Sequence, residues 1–151
     1  MKWYILYKLD AREWIRKTIK KMENRETDSS SDWNKFWEEI YYDLGGTSAC
    51  AACKGCPKKA GYTSWYLGRI KGSNRKRVEM SFDTVKKRCL KNGAYAILGQ
   101  EILSNSPNLN KSDLFRKIQI EYRRRTNDEP AGSDQGGPTL TWILFKAGML
   151  K

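Results

Sequence analysis

"YTSWYLGRIKGSNRKRVEMSF" (62–82) decides how the rest of the chain is read. Two runs rich in aromatic and β-branched residues flank "KGSN", a four-residue turn signal. In the first run Thr63, Trp65, Leu67 and Arg69 alternate onto one face. In the second, Val78, Met80 and Phe82 share one face, and Arg75, Arg77 and Glu79 share the other. The pattern predicts a β-hairpin from about 62 to 82 with a cationic tip.

Outward from this segment the signals turn mostly helical. "FDTVKKRCLKNG" (82–93) reads as a short helix closed by Gly93, with further helices over 94–104, 112–125 and 139–147. In the last of these, Leu140, Ile143, Leu144 and Ala147 fall at core spacing. Upstream, Trp33, Phe36, Trp37, Ile40, Tyr41 and Leu44 recur at helical spacing, and Gly45 suits the stop. "KWYILYKL" (2–9) reads as a strand. Asp10 and Glu13 then form a capping-box pattern for a basic helix to about residue 24. Polar connections cover 24–32 and 126–138.

The expected fold is α+β: a single compact domain over 1–151 with a four-cysteine metal lobe, a basic β-hairpin and about five or six helices. The metal lobe spans 47–91. Its basis is "CAACKGC" (50–56), which places Cys50, Cys53 and Cys56 at two identical three-residue steps, with Cys89 the one other cysteine. Gly55 lets the backbone bend and Pro57 stiffens the exit. Four thiolates satisfy one tetrahedral zinc and leave no position open for water, so the expected use is structural. A 4Fe–4S cluster on the same four cysteines is the alternative, since iron–sulfur runs begin with this spacing. Lys54, Lys58 and Lys59 favour thiolates by lowering the pKa of a neighbouring thiol.

The chain carries 29 Lys and Arg against 17 Asp and Glu, a net charge of +12. Such an excess draws a small protein towards polyanions, DNA or RNA first among them. The charge is uneven: residues 58–91 hold eleven basic and two acidic side chains, and residues 26–49 hold one basic and six acidic. The candidate nucleic-acid contacts are Trp65, Arg69, Lys71, Arg75, Lys76 and Arg77 on the hairpin, and Arg123, Arg124 and Arg125 at a helix end. Arginine and lysine would hold phosphates, and Trp65, with Tyr62 or Tyr66, would stack on bases. No apolar run approaches the roughly 20 residues of a membrane span, so no membrane partner is expected and the protein is read as intracellular, cytoplasmic or nuclear.

The chain has no histidine, which excludes every mechanism with a histidine base, nucleophile or metal ligand. No Gly-rich phosphate loop, nucleophile elbow or paired acidic motif appears, and Asp113, Glu121 and Arg123 do not form a carboxylate–lysine nuclease centre. "WYILYKL" is faintly similar to the opening strand of GIY-YIG nucleases, but the defining motifs of that family are absent. The expected activity is therefore non-catalytic nucleic-acid binding. The alternative is a small adaptor or inhibitor, of the kind viruses and mobile elements encode, that binds a protein partner and offers acidic residues 26–43 as a phosphate mimic. An iron–sulfur protein is the third reading.

Overall fold

The computed structural model describes residues 4–151. Near the N-terminus Ile5–Leu6 (β1) and Leu9–Asp10 (β2) pair antiparallel across a turn in which Tyr7 and Lys8 adopt positive φ of 50° and 68°. The strand expected over 2–9 is thus folded back on itself, and its residues Lys2 and Trp3 lie outside the described residues. Asp10 caps the next helix, Ala11–Asn24 (α1), by accepting the Arg12 N–H at 2.9 Å. Trp14, Ile15, Thr18, Ile19 and Met22 form its buried stripe.

Ser29 caps Ser30–Asp43 (α2), which buries Trp33, Phe36, Trp37, Ile40 and Tyr41, the stripe that their spacing predicts. Ala49–Cys53 (α3) and Gly55–Tyr66 (α4) follow. The rest of the helical frame is Phe82–Asn105 (α5), Lys111–Thr126 (α6) and Gly137–Lys146 (α7). Within α5 the backbone kinks at Leu90, with φ 59° and ψ −169°. The helix expected to stop at Gly93 therefore bends and continues.

An aromatic stack joins three of these helices. Trp14 and Trp37 lie 4.2 Å apart, Trp33 and Trp37 6.0 Å, and Trp33 and Trp65 5.7 Å. Three of the indoles find acceptors: Trp14 donates to Trp37 O, Trp33 to Lys58 O and Trp65 to Glu23. Each ring brings a large apolar area, and the N–H bonds remove the penalty of burying its one polar atom.

The α+β expectation is corrected by this architecture. Among the described residues the chain has seven helices and a single hairpin of two-residue strands, and the hairpin over 62–82 does not form. Its first arm is the C-terminal half of α4. That helix packs against α2, α5 and α7, and Pro57 and every residue from Ala60 to Trp65 are buried. A helix covered on all sides has no polar face, so its sequence lacks the amphipathic period and its β-branched and aromatic residues imitate a strand.

Gly68, at φ +70°, ends α4; a Cβ there would lie 2.3 Å from Lys76 O. The chain thus crosses itself at van der Waals distance, and one bond from Val78 N–H to Leu67 O (3.0 Å) stands where a β-ladder was expected.

The four-cysteine lobe is corrected as well. Among the described residues no three His, Cys, Asp or Glu side chains gather in a metal-holding group. Cys89 is buried on α5 with Leu67, Val85 and Ile97. It packs beside Gly93 against Thr63, so tightly that a Cβ on Gly93 would lie 2.3 Å from Cys89 Cβ and 2.7 Å from Thr63 Oγ1. Thr63 is seven residues beyond Cys56 on α4, roughly 10 Å along the axis. Cys89 therefore packs against a part of α4 well along the helix from Cys56.

Candidate nucleic-acid interface

Each expected contact residue has a definite place, and most are already engaged. Trp65 is 1% exposed, sealed inside the aromatic stack with its indole N–H held by Glu23 at 3.2 Å, so no base can reach it. Tyr62 donates to Asp28 O at 2.6 Å, and burial pushes its phenol up to about 12. Tyr66 is half-buried beneath Arg75. Arg75 clamps the chain from inside. Its Nε and Nη2 donate to Tyr66 O at 3.2 and 2.8 Å, its Nη1 lies 3.5 Å from Asp28, and its guanidinium covers both Trp65 and Tyr66.

The three arginines at the end of α6 are matched by carboxylates. Arg123 pairs with Glu129 at 3.2 Å, Arg124 pairs with Glu121, and Arg125 pairs with Glu121 and Glu101, both at 2.9 Å. Hydrogen bonds from Arg124 and Arg125 hold the Glu121 carboxyl down at about 2. Arg77 pairs with Glu79 at 2.6 Å. Helix-end arginines complement the macrodipole, and here they also spend their donors internally.

The cysteines differ among themselves. Cys50 and Cys53 are exposed on α3, Cys56 is half-buried near the start of α4, and Cys89 is buried. Cys53 donates to Glu38 at 3.5 Å, and that carboxylate raises its pKa. Cys56 is raised by burial, against an opposing pull from Lys54. Lys58 meanwhile is taken up by Glu38 at 2.9 Å. The lysines expected to favour thiolates are outweighed at both thiols, by the Glu38 carboxylate at Cys53 and by burial at Cys56.

Lys71 and Lys76 remain exposed, and neither side chain has an ion-pair or hydrogen-bond partner among the described residues. Their loop is fixed to α1 by one carboxylate: Glu23 accepts from Ser73 Oγ at 2.8 Å, Asn74 N–H at 2.9 Å and Trp65 Nε1 at 3.2 Å. This docking leaves a groove of about 320 Å³ between α1 and residues 70–73, with Arg16 and Lys20 on one lip and Lys71 on the other. Arg16, Lys17 and Lys20 are exposed, again without a partner among the described residues. At i and i+4, Arg16 and Lys20 stand side by side on the helix.

Arg16, Lys17 and Lys20 are not among the cations that the sequence pattern singles out. Their signal is their position on α1 opposite the Trp14, Ile15, Thr18, Ile19 and Met22 stripe. What the periodicity does not supply is the loop opposite them, because the Glu23 bonds span some fifty residues.

The chain matches no protein-family model, no curated protein and no solved structure. No helix among the described residues is long and apolar enough to cross a membrane.

Proposed function

We propose that this protein binds nucleic acid without catalysis, through phosphate contacts on the face formed by α1 and the 71–76 loop. The observation that carries this reading is the groove in which Arg16, Lys20 and Lys71 face one another with no carboxylate partner among the described residues, the Glu23 carboxylate beside them being taken up by Trp65, Ser73 and Asn74. An unpaired cation gives up little when it binds a phosphate, whereas a paired arginine must first break its ion pair. The net charge of +12 adds long-range attraction to either DNA or RNA.

A protein-binding adaptor has less to support it. Of the acidic stretch that would serve as a phosphate mimic, Glu38 is tied to Lys58, Glu39 to Lys21 and Asp28 to Arg75.

Fluorescence anisotropy on single-stranded and duplex oligonucleotides across a salt series tests the proposal. Replacing Arg16, Lys20 and Lys71 with Gln should leave folding intact and flatten the slope of log K against log salt by roughly two to three units, about 0.7–0.9 per lost phosphate contact. Arg124→Gln should change the slope by less than one unit, since that side chain is already paired. A parent protein with no salt-sensitive binding, or a triple variant that binds as the parent does, would overturn the proposal and favour a protein partner.

A further inference from the structure

Gly68 permits an unusual approach of two guanidinium groups. Because it has no Cβ, residues 76–78 can cross directly over 67–69, which brings Arg77 beside Arg69. On the other side Ile70 pairs with Leu150, and Lys151 N–H donates to Arg69 O at 2.9 Å, so Lys151 joins the same region. Arg125 reaches in from α6. These four cations line one cleft of about 470 Å³, on residues separate from those of the α1 groove. The volume falls within the usual range of small-molecule sites.

The charges in the cleft do not balance. Glu79 and Glu101 also line it, and each already serves one arginine, Arg77 and Arg125 respectively. Lys151 donates only to a neutral carbonyl, Arg75 O. Arg69 has no ion pair among the described residues, and its buried Nε–H has no acceptor there. Burial, followed by the charge of Arg77, lowers the Arg69 pKa. A half-buried guanidinium held beside a second one, with a donor unmet, is a destabilising arrangement unless an anion completes it. The remaining wall is apolar, formed by Phe82, Ile97, Phe145 and Leu150.

We propose that this cleft binds a phosphate monoester, with the phosphate on Arg69, Arg77 and Lys151 and an apolar body against Phe82, Ile97 and Leu150. Arg69 has an unmet donor and Lys151 donates only to a neutral carbonyl, and a phosphate monoester brings near-dianionic charge and several strong acceptor oxygens to both. The ligand is either a free nucleoside monophosphate or the phosphorylated end of a strand, since the two share this chemistry.

Calorimetric titration with adenosine 5′-monophosphate, inorganic phosphate and adenosine tests the assignment. The monophosphate should bind roughly tenfold more tightly than inorganic phosphate, and adenosine should not bind. Arg69→Gln should weaken the monophosphate roughly tenfold or more, in line with the loss of a charged hydrogen bond. Arg77→Gln, at a more exposed position, keeps the test valid if Arg69→Gln fails to fold. Lys35→Gln, on the exposed face of α2, should leave monophosphate affinity unchanged.

A strand end is the ligand if a 5′-phosphorylated oligonucleotide binds more tightly than both its 5′-hydroxyl twin and the mononucleotide, and Arg77→Gln abolishes the difference. A free nucleotide is the ligand if the mononucleotide binds at least as well. Adenosine binding equal to that of its monophosphate, absence of monophosphate binding, or indifference to both arginine variants would overturn the proposal. The mononucleotide outcomes do not bear on the α1 groove, and the oligonucleotide comparison is made in the Arg16, Lys20 and Lys71 triple variant, so that binding there does not enter it.

Discussion

Helices α2 and α4 are both rich in Trp and Tyr, yet one is legible in the sequence and the other is not. In α2 the aromatic residues fall on one face, and Asn34, Lys35, Glu38 and Glu39 cover the other. In α4 burial runs unbroken from Ala60 to Trp65. The difference lies in where each helix sits, since α4 is flanked by α2, α5 and α7. Hydrophobic periodicity records contact with water, so it fades where a helix has no wet face.

The largest test of this contrast is Trp65→Ala. It should destabilise the protein by about 3–5 kcal/mol, because it empties a fully buried site at the α4 end of the aromatic stack. Lys35→Ala on the wet face of α2 should stay within about 0.5 kcal/mol. Chemical denaturation measures both. A Trp65→Ala variant that keeps its stability and loses only affinity for single strands would restore the hairpin with an exposed, stacking tryptophan.

Cys89→Ser should come next. A hydroxyl in that apolar pocket should cost about 1–3 kcal/mol, whereas Cys50→Ser on exposed α3 should cost less than about 0.5 kcal/mol. Melting curves paired with metal analysis of protein purified without oxygen sharpen the result. If all four Cys→Ser variants lost stability alike and released a stoichiometric metal, α4 would have to rearrange to bring Cys89 to the other three.

The smallest effect is alkaline. Tyr62 on α4 titrates at about 12 in the folded protein, above its ordinary value of 10.0. The unfolded chain therefore loses this proton first, so the stabilisation is complete below pH 10.0 and declines as pH rises through about 12. Tyr62→Phe should flatten that part of the stability–pH curve. An unchanged alkaline slope would mean that the phenol is wetter than its bond to Asp28 O implies.

The sequence by itself determined the one-sided elements. The cap of α1 at Asp10, the stripe of α2, and helices close to the expected spans of α6 and α7 all follow from local capping and a wet–dry period. It also determined the excess of positive charge, and it points to Lys71 and Lys76, both exposed in the fold, as candidate contacts.

Tertiary structure decided the rest. It made residues 55–66 a helix, because a segment enclosed by three others must satisfy its backbone internally. It buried Trp65 and tied Arg75 to partners far along the chain, and it paired Arg123–Arg125 with carboxylates at the surface. It kept Cys89 apart from the other thiols, since seven residues of α4 set the distance that a 33-residue step in sequence leaves open. And it made both cationic clefts, one by the bonds of Glu23 to a loop some fifty residues away, the other by a backbone crossing that only a glycine at position 68 allows. Local patterning encodes which side of an element is wet. Which charges survive unpaired depends on long-range contacts, and those are formed only when the chain closes on itself.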